Sequence, residues 1–418
     1  MKWADDYLEK HALHEPFIRV YPEQTLRQVV TIPALNESGL TRSLDSLFSA
    51  PPDHPETEVI ILINSAENAS TETLQANRQT FEHTRQWIAT HKRPRITFHL
   101  LMEENLPARG AGAGLARKLA MDEAIHRLNL TGQPHGILLS LDADTLVEPN
   151  YLRSVPDHLS SNQSEGCAIR FTHPLDPASH PGKPYPGEVY QAITRYELHQ
   201  RYYLASVQST GYPYAFHTVG SAFAVTAHAY CAAGGMNRRQ GGEDFYFIQK
   251  VASRGRFSEC NTTTVHPSPR PSNRVPFGTG PAVQRQLDQP GKPYLTYHHE
   301  PFRMLHPFFQ QCLAGYPNTS PESLENKQPA VLRMFLSDSN FRSAYSEILQ
   351  NTASHTTFTK RFRNRFNMFW ILKFLHFAEK NGYPRQPLME ACRQRFPDIM
   401  ATSEKSFLES LRLQTSCR

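Results

Sequence analysis

Between residues 28 and 143 short apolar runs alternate with segments of helical period, and this rhythm restricts the fold more than any other feature of the chain. QVVTIPAL, EVIILIN, RITFHLLM and GILLSLDA read as strands; 40-LTRSLDSLFSA-50, 71-TETLQANRQTFEHTRQWIATH-91 and 115-LARKLAMDEAIHRL-128 read as the helices between them. The runs are continuously apolar rather than alternating, as strands covered on both faces are. The expectation is an α/β fold, with a mostly parallel central sheet flanked by helices. Ligands in such sheets bind outside the carboxyl ends of the strands. The fourth run, LLSLDADT, stops at such an end on two carboxylates, Asp142 and Asp144.

After residue 155 the rhythm breaks. Residues 218-TVGSAFAVT-226 read as a further strand, 228–255 as a loop feeding a helix near Asp244, and 265-VHPSPRPSNRVPFGTG-280 as a Pro/Arg-rich loop. From about residue 301 the pattern is helical. The expected division is an N-terminal helical extension (1–27), an α/β domain (28–300) and a helical C-terminal region (301–418). Within the last, 360-KRFRNRFNMFWILKFLHF-377 sets Phe362, Phe366, Phe369, Trp370 and Lys373 at helical spacing. Such a helix packs its aromatic face on the α/β domain of its own chain or lies on an anionic membrane surface, and packing is the favoured reading.

A net charge of +5 over 418 residues suits an anionic substrate without pointing to nucleic acid, and no nucleic-acid partner is expected. The six cysteines (Cys167, Cys231, Cys260, Cys312, Cys392 and Cys417) show no CxxC spacing, which favours free thiols. The start MKWADDYLEKHALHEPF lacks the pattern of a signal peptide, and FNMFWILKFLHF is too short to span a bilayer. A cytoplasmic location follows as the expectation, with peripheral contact to the inner face of a membrane as its variant.

Alternation along an extended strand would put Asp142 and Asp144 on one face, able to share a hard divalent ion such as Mn²⁺ or Mg²⁺. An EF-hand is excluded, because Val147 stands where that loop requires glycine. The alternative is a solvated turn. The glycine-rich 107-PARGAGAGLARK-118 matches neither a Rossmann turn nor a P-loop, yet it leads into a helix carrying Arg117 and Lys118 and would suit a diphosphate as well as a plain connection. Gly241-Gly242-Glu243-Asp244 places acids at a helix start, either as caps or with Asp244 as a general base and Glu243 holding an acceptor. His266 shares its loop with Arg270 and Arg274, both suited to bidentate phosphate contacts.

In this order 29-VVTIPALNES-38, 59-VIILINSAENAS-70, LARK, LLSLDADT, GSAFAVT and GGMNRRQGGEDFYF resemble the nucleotide-sugar-dependent glycosyltransferases of the GT-A fold, particularly family 2, over residues 28 to 280. The resemblance implies a metal held by Asp142, Asp144 and His266, with Asp244 as base in an inverting transfer assisted by Glu243. It implies donor contacts from Pro33, Ala34, Asn36, Glu37, Asn64, Arg117, Lys118, Asp142, Arg270 and Arg274. INSAEN stands where the family commonly has a VDDGS-like run, so Asn64 replaces a base-reading aspartate and favours UDP over GDP only weakly. The QxxRW motif of processive members is missing, which favours transfer of a single sugar. The acceptor (a glycan, a lipid-linked sugar or a small molecule) is left open, and no protein partner is legible. Two alternatives remain: a sugar nucleotidyltransferase, disfavoured because IPALNES lacks the glycine-rich signature and its lysine, and a non-catalytic nucleotide-sugar or glycan binder.

Overall fold

The computed structural model describes residues 2–179, 184–275 and 278–416. Strands β1 (Leu26–Ala34), β2 (Glu56–Ala66), β3 (Ile96–Leu106), β4 (Ile137–Ser140), β5 (Leu146–Val147), β6 (Gly166–Phe171), β7 (Phe223–Thr226) and β8 (Phe257–His266) form one sheet. Its order is β3-β2-β1-β4-β7-β6-β8-β5. The first four in that order are mutually parallel, as are β6 and β8, whereas β7 and β5 run against their neighbours. The expected mixed α/β architecture with a mostly parallel sheet is therefore present. β6 and β8 carry no strand signal strong enough to separate them from the loops around them, and they complete the half of the sheet that sequence periodicity leaves blank.

Helices α1 (Asp5–His11), α2 (Leu40–Phe48), α3 (Thr71–Thr90), α4 (Ala113–Leu130), α5 (Tyr151–Ser161), α6 (Gly187–Ser209), α7 (Ala227–Ala232), α8 (Glu243–Ala252) and α9 (Thr279–Leu287) accompany the sheet in chain order. Odd and even positions of the central strands serve opposite faces. Val30, Ile32, Val59, Ile61, Ile63 and Leu139 join one core with residues of α2 and α5. Val29, Ile60 and Leu138 join the other, with residues of α1, α4, α7 and α8. Burial on both sides is why these runs read as continuously apolar.

α4 lies within this second layer with charged residues buried along its length. Arg127 forms a bidentate pair with Glu58 at 2.6 and 2.8 Å. Glu123 accepts the backbone N–H groups of Phe17 and Ile18. Lys118 donates to Asp122 at 2.8 Å, and Asp122 also accepts the hydroxyls of Tyr7 and Tyr230, each at 2.8 Å. The N-terminal residues are thus built into the α/β unit rather than appended to it.

The chain divides into two units, Met1–Ile193 with Thr218–Leu287, and Thr194–His217 with Asp288–Cys417. The second therefore begins earlier than the expected boundary at residue 300 and takes in residues 194–217. It contains α10 (His299–Ala314), α11 (Pro321–Asn326), α12 (Ala330–Asp338), α13 (Phe341–Gln350), α14 (His355–Arg365), α15 (Met368–Lys380), α16 (Leu388–Arg395) and α17 (Glu404–Ser416). A two-residue ladder between β9 (Leu295–Thr296) and β10 (Gln386–Pro387) interrupts the helical pattern.

The aromatic stretch at 360–377 is two helices, not one. Asn367 breaks it, its side chain accepting from the N–H groups of Phe369 and Trp370. Phe362, Phe366 and Trp370 are buried among Phe308, Phe309, Phe335 and Phe341 of the same unit, while Phe369 stays 38% exposed beneath the Lys373 ammonium. The aromatic face is thus buried within the helical unit, where packing on the α/β domain was expected, and among the described residues no helix is long and apolar enough to cross a membrane. Cys167, Cys231, Cys260, Cys312 and Cys392 are free thiols; Cys417 lies outside the described residues.

Removing the Lys118 ammonium leaves the Asp122 carboxylate buried without its cation. Lys118→Met should lower unfolding stability by about 3–5 kcal/mol in urea titration. A loss under about 1 kcal/mol would mean that the pair behaves as an exposed one does.

Candidate active site

Three strand ends and one strand start converge. Thr31 of β1 lies beside Ser140 at the end of β4, and Ser140 lies beside Phe223 at the start of β7. The end of β8, at His266, pairs with β5 directly after the Asp142–Asp144 segment. The residues following β1 and β4, those preceding β7, and the loop after β8 therefore meet at one edge of the sheet.

β4 ends at Ser140, so Asp142 and Asp144 are not on an extended strand. They flank a turn in which the Thr145 N–H donates to the Asp142 carbonyl at 3.1 Å. The shared-face argument fails for that reason, and each carboxylate finds its own cation. Arg117, only 3% exposed, donates to Asp142 Oδ1 at 2.7 Å, to Ser140 Oγ at 2.6 Å, to the Gly220 carbonyl at 3.1 Å and to Glu243 Oε1 at 3.3 Å. Arg270, from the loop after β8, forms a bidentate pair with Glu37 and reaches Asp144 Oδ2 at 3.1 Å. Arg274 donates to the carbonyls of Leu35 and Asn36 and stands 3.6 Å from Glu37.

The charges leave two carboxyls under strain. Burial, then the nearby Glu37 carboxylate, push Asp144 up to about 6 against the pull of Arg270. Burial and then Glu243 push Asp244, at the start of α8, up to about 7 against the pull of Arg117. Burial alone would lower Arg117, but Asp142 and Glu243 hold it above its ordinary value. Asp244 is thus a carboxylate with its proton affinity near neutrality, the property a general base requires.

Several expected roles change. Glu243 is 5% exposed and is paired with Arg117 rather than turned to an open cleft. Arg117 has four of its five N–H groups engaged by protein atoms, and Lys118 faces Asp122 in the core, so both are built into the protein's own contacts. The Asn64 side-chain NH₂ donates to the Ala34 carbonyl at 2.9 Å, tying β2 to β1, and its backbone carbonyl accepts from Asn77. Pro33 lies in the β1–β2 ladder opposite Leu62, and the Ala34 side chain is in the core. Asn36 is exposed at the rim, with a left-handed φ of 49° and its N–H held by Asn77.

The His266 ring is engaged by other partners than Asp142 and Asp144. Its Nε2 pairs with Glu148 at 2.9 Å and its Nδ1 with Thr172 at 3.1 Å. The cause is register: Leu146 pairs with His266, which sets that side chain next to Glu148. Among the described residues no group of three or more His, Cys, Asp or Glu is arranged to hold a metal ion.

The glycine-rich loop has a packing function. A Cβ on Gly114 would lie 2.2 Å from the Arg239 carbonyl, so this position admits the backbone of residues 237–240 against the start of α4. That contact delivers Glu243 to Arg117. Ser140, Gly220, Asn77 and Glu148 were not expected at the site. Each makes its contact across a long stretch of chain, which motif spacing does not register.

No family model matches this chain, and no curated protein matches it. Among solved structures, Staphylococcus aureus TarS (residues 1–349) bound to UDP-GlcNAc is similar at 12% identity and a TM-score of 0.41, over 81% of this chain and 92% of that one. The mannosyltransferase PcManGT of Pyrobaculum calidifontis, with GDP-Man and Mn²⁺, is similar at 16% identity and 0.38, over 99% and 91%. GalNAc-T7 with UDP, GalNAc and Mn²⁺ is similar at 15% and 0.38, over 87% and 59%. All three are glycosyltransferases.

Because Asp144 and Asp244 hold protons more tightly in the native protein than in the unfolded chain, the native state binds more protons between about pH 4 and pH 7. Their contribution to stability therefore falls as pH rises through that window. The double variant Asp144→Asn/Asp244→Asn should gain stability relative to the parent as pH is raised from about 5 to 7, measured as Tm without metal. Parallel Tm profiles would contradict the raised affinities.

Proposed function

We propose that this chain is a glycosyltransferase of the family 2 type, moving one sugar from a nucleoside-diphosphate donor to an acceptor hydroxyl with inversion. The observation that carries the reading is a base-competent Asp244 beside a cluster of carboxylates and guanidiniums at the carboxyl ends of β1, β4 and β8. Asp244 takes the acceptor's proton as the acceptor oxygen bonds to the anomeric carbon. The bond from that carbon to the donor phosphate breaks, and the nucleoside diphosphate leaves with the electron pair. Arg270 and Arg274 are the cations for the diphosphate. Their present partners, Glu37, Asp144 and the Leu35 and Asn36 carbonyls, mark where they rest without it.

The residues suit a divalent ion with few protein ligands. Burial first, and then the Glu37 carboxylate, raise the proton affinity of Asp144 against the pull of Arg270, so a further cation at this carboxylate would be favoured. A hard ion that shares its shell with substrate phosphates needs only one or two carboxylates. Asp144 would hold Mn²⁺ or Mg²⁺, with Asp142 in support, and the ion would supply positive charge to the leaving diphosphate.

A panel of UDP- and GDP-sugars with and without Mn²⁺ or Mg²⁺ tests the reading. A donor should raise the Tm only when metal is present. Asp244→Asn should keep that shift while losing about 10²- to 10⁴-fold in transfer rate. A panel with no shift removes the donor assignment, and an active Asn variant removes Asp244 as base.

A further inference from the structure

The Arg117 guanidinium packs against the bare Cα of Gly220. A Cβ built there would lie 2.7 Å from Arg117 Nη2 and 3.5 Å from Asp244 Oδ2. The missing side chain is therefore the space in which the guanidinium and the Asp244 carboxylate approach each other. Arg117 assigns four of its five N–H groups to Asp142, Glu243, Ser140 and the Gly220 carbonyl. Only a planar, forked cation serves acceptors in so many directions at once; an ammonium is a point charge with freely rotating donors.

We propose that Arg117 and Gly220 form a positioning pair for the reaction: Gly220 admits the guanidinium beside Asp244, and the guanidinium ties down Asp142 and Glu243 so that Asp244 is the carboxylate presented to the acceptor. This inference rests on the reading of Asp244 as base. The charged groups that face Asp244 are Glu243 on its own helix, Arg117 from α4 and Asp142 from the turn after β4. Two of the three are anions, and both are held by the third. Loss of the cation exposes Asp244 to both negative charges with nothing to offset them, so its proton would be held more tightly and its basic form would populate only at higher pH.

The test follows the Asp244 carboxyl by ¹³C NMR from about pH 4 to 9 in the parent chain, Arg117→Met, Arg117→Lys and Gly220→Ala, with near-UV circular dichroism as the folding control. Arg117→Met should move the Asp244 midpoint up by about one unit. The acid limb of kcat/KM should move with it and kcat fall at least about tenfold, more than the Kd for UDP or GDP with Mn²⁺ changes through the released Asp142. Arg117→Lys should keep the midpoint close to that of the parent yet lose part of kcat, because it keeps the charge and loses the fork. Gly220→Ala should shift the midpoint in the direction of Arg117→Met. An unmoved midpoint in both Arg117→Met and Gly220→Ala would overturn the proposal. So would a weakened nucleotide Kd with intact kcat, which would make Arg117 a donor ligand. If Arg117→Met fails to fold, Gly220→Ala and Arg117→Lys decide. A parent chain without transferase activity removes the proposed function, while the NMR midpoints still decide whether the pair governs Asp244.

Discussion

The buried guanidinium of Arg117 is the contact on which the site depends. It is a cation withdrawn from water, a situation tolerated only when paired charges and hydrogen-bond acceptors surround it. Here those acceptors come from the end of β4, the turn after it, the segment before β7 and the first turn of α8. Each of these segments is a loop or an element terminus, mobile by default. Tying all of them to one rigid group on α4 fixes the separation of Asp142, Glu243 and Asp244 without a metal. The glycine-rich entry to α4 serves the same end by letting residues 237–240 lie against the helix start.

A second cation, Arg270, works at the other side of the turn and differs in kind. Arg117 is enclosed, whereas the Arg270 side chain is 25% exposed on a proline-rich loop. It spans Glu37 and Asp144, and burial together with the Glu37 carboxylate lets Asp144 hold its proton up to about 6. An enclosed cation keeps geometry constant; a partly exposed one on a loop can exchange partners. The site thus joins a fixed half, around Arg117 and Asp244, to an exchangeable half, around Arg270 and Asp144.

The parallel half of the sheet was legible because its strands are buried on both faces and its helices repeat at regular spacing. Asp142, Asp144, Asp244, Arg270 and Arg274 were legible as candidates because charged residues recur at successive strand ends in one order, although each alone also has a structural reading as a cap or a solvated turn. What failed was geometry. LLSLDADT reads as one strand, but the ladder stops at Ser140, and a pleat argument applied beyond it misplaces both side chains. His266 follows the right motif, yet its partner Glu148 is set by β5–β8 register, which no local pattern encodes. Lys118 sits next to Arg117 in sequence, but adjacent helical residues point about 100° apart, so one reaches the site and the other the core. Asn64 drew a functional reading from its place at a strand end, where its amide in fact bonds the neighbouring strand.

The central claim is that the nucleoside-diphosphate group of a donor sits where Arg270 and Asp144 now meet, with Asp244 facing the transferred sugar. A crystal structure of the full chain with Mn²⁺ and UDP or GDP tests it most directly. The account predicts the diphosphate between Asp144 and Arg270, with Arg270 released from Glu37 and the Arg117 contacts unchanged. Nucleotide bound away from the ends of β1 and β4, with Arg270 still on Glu37, would contradict it.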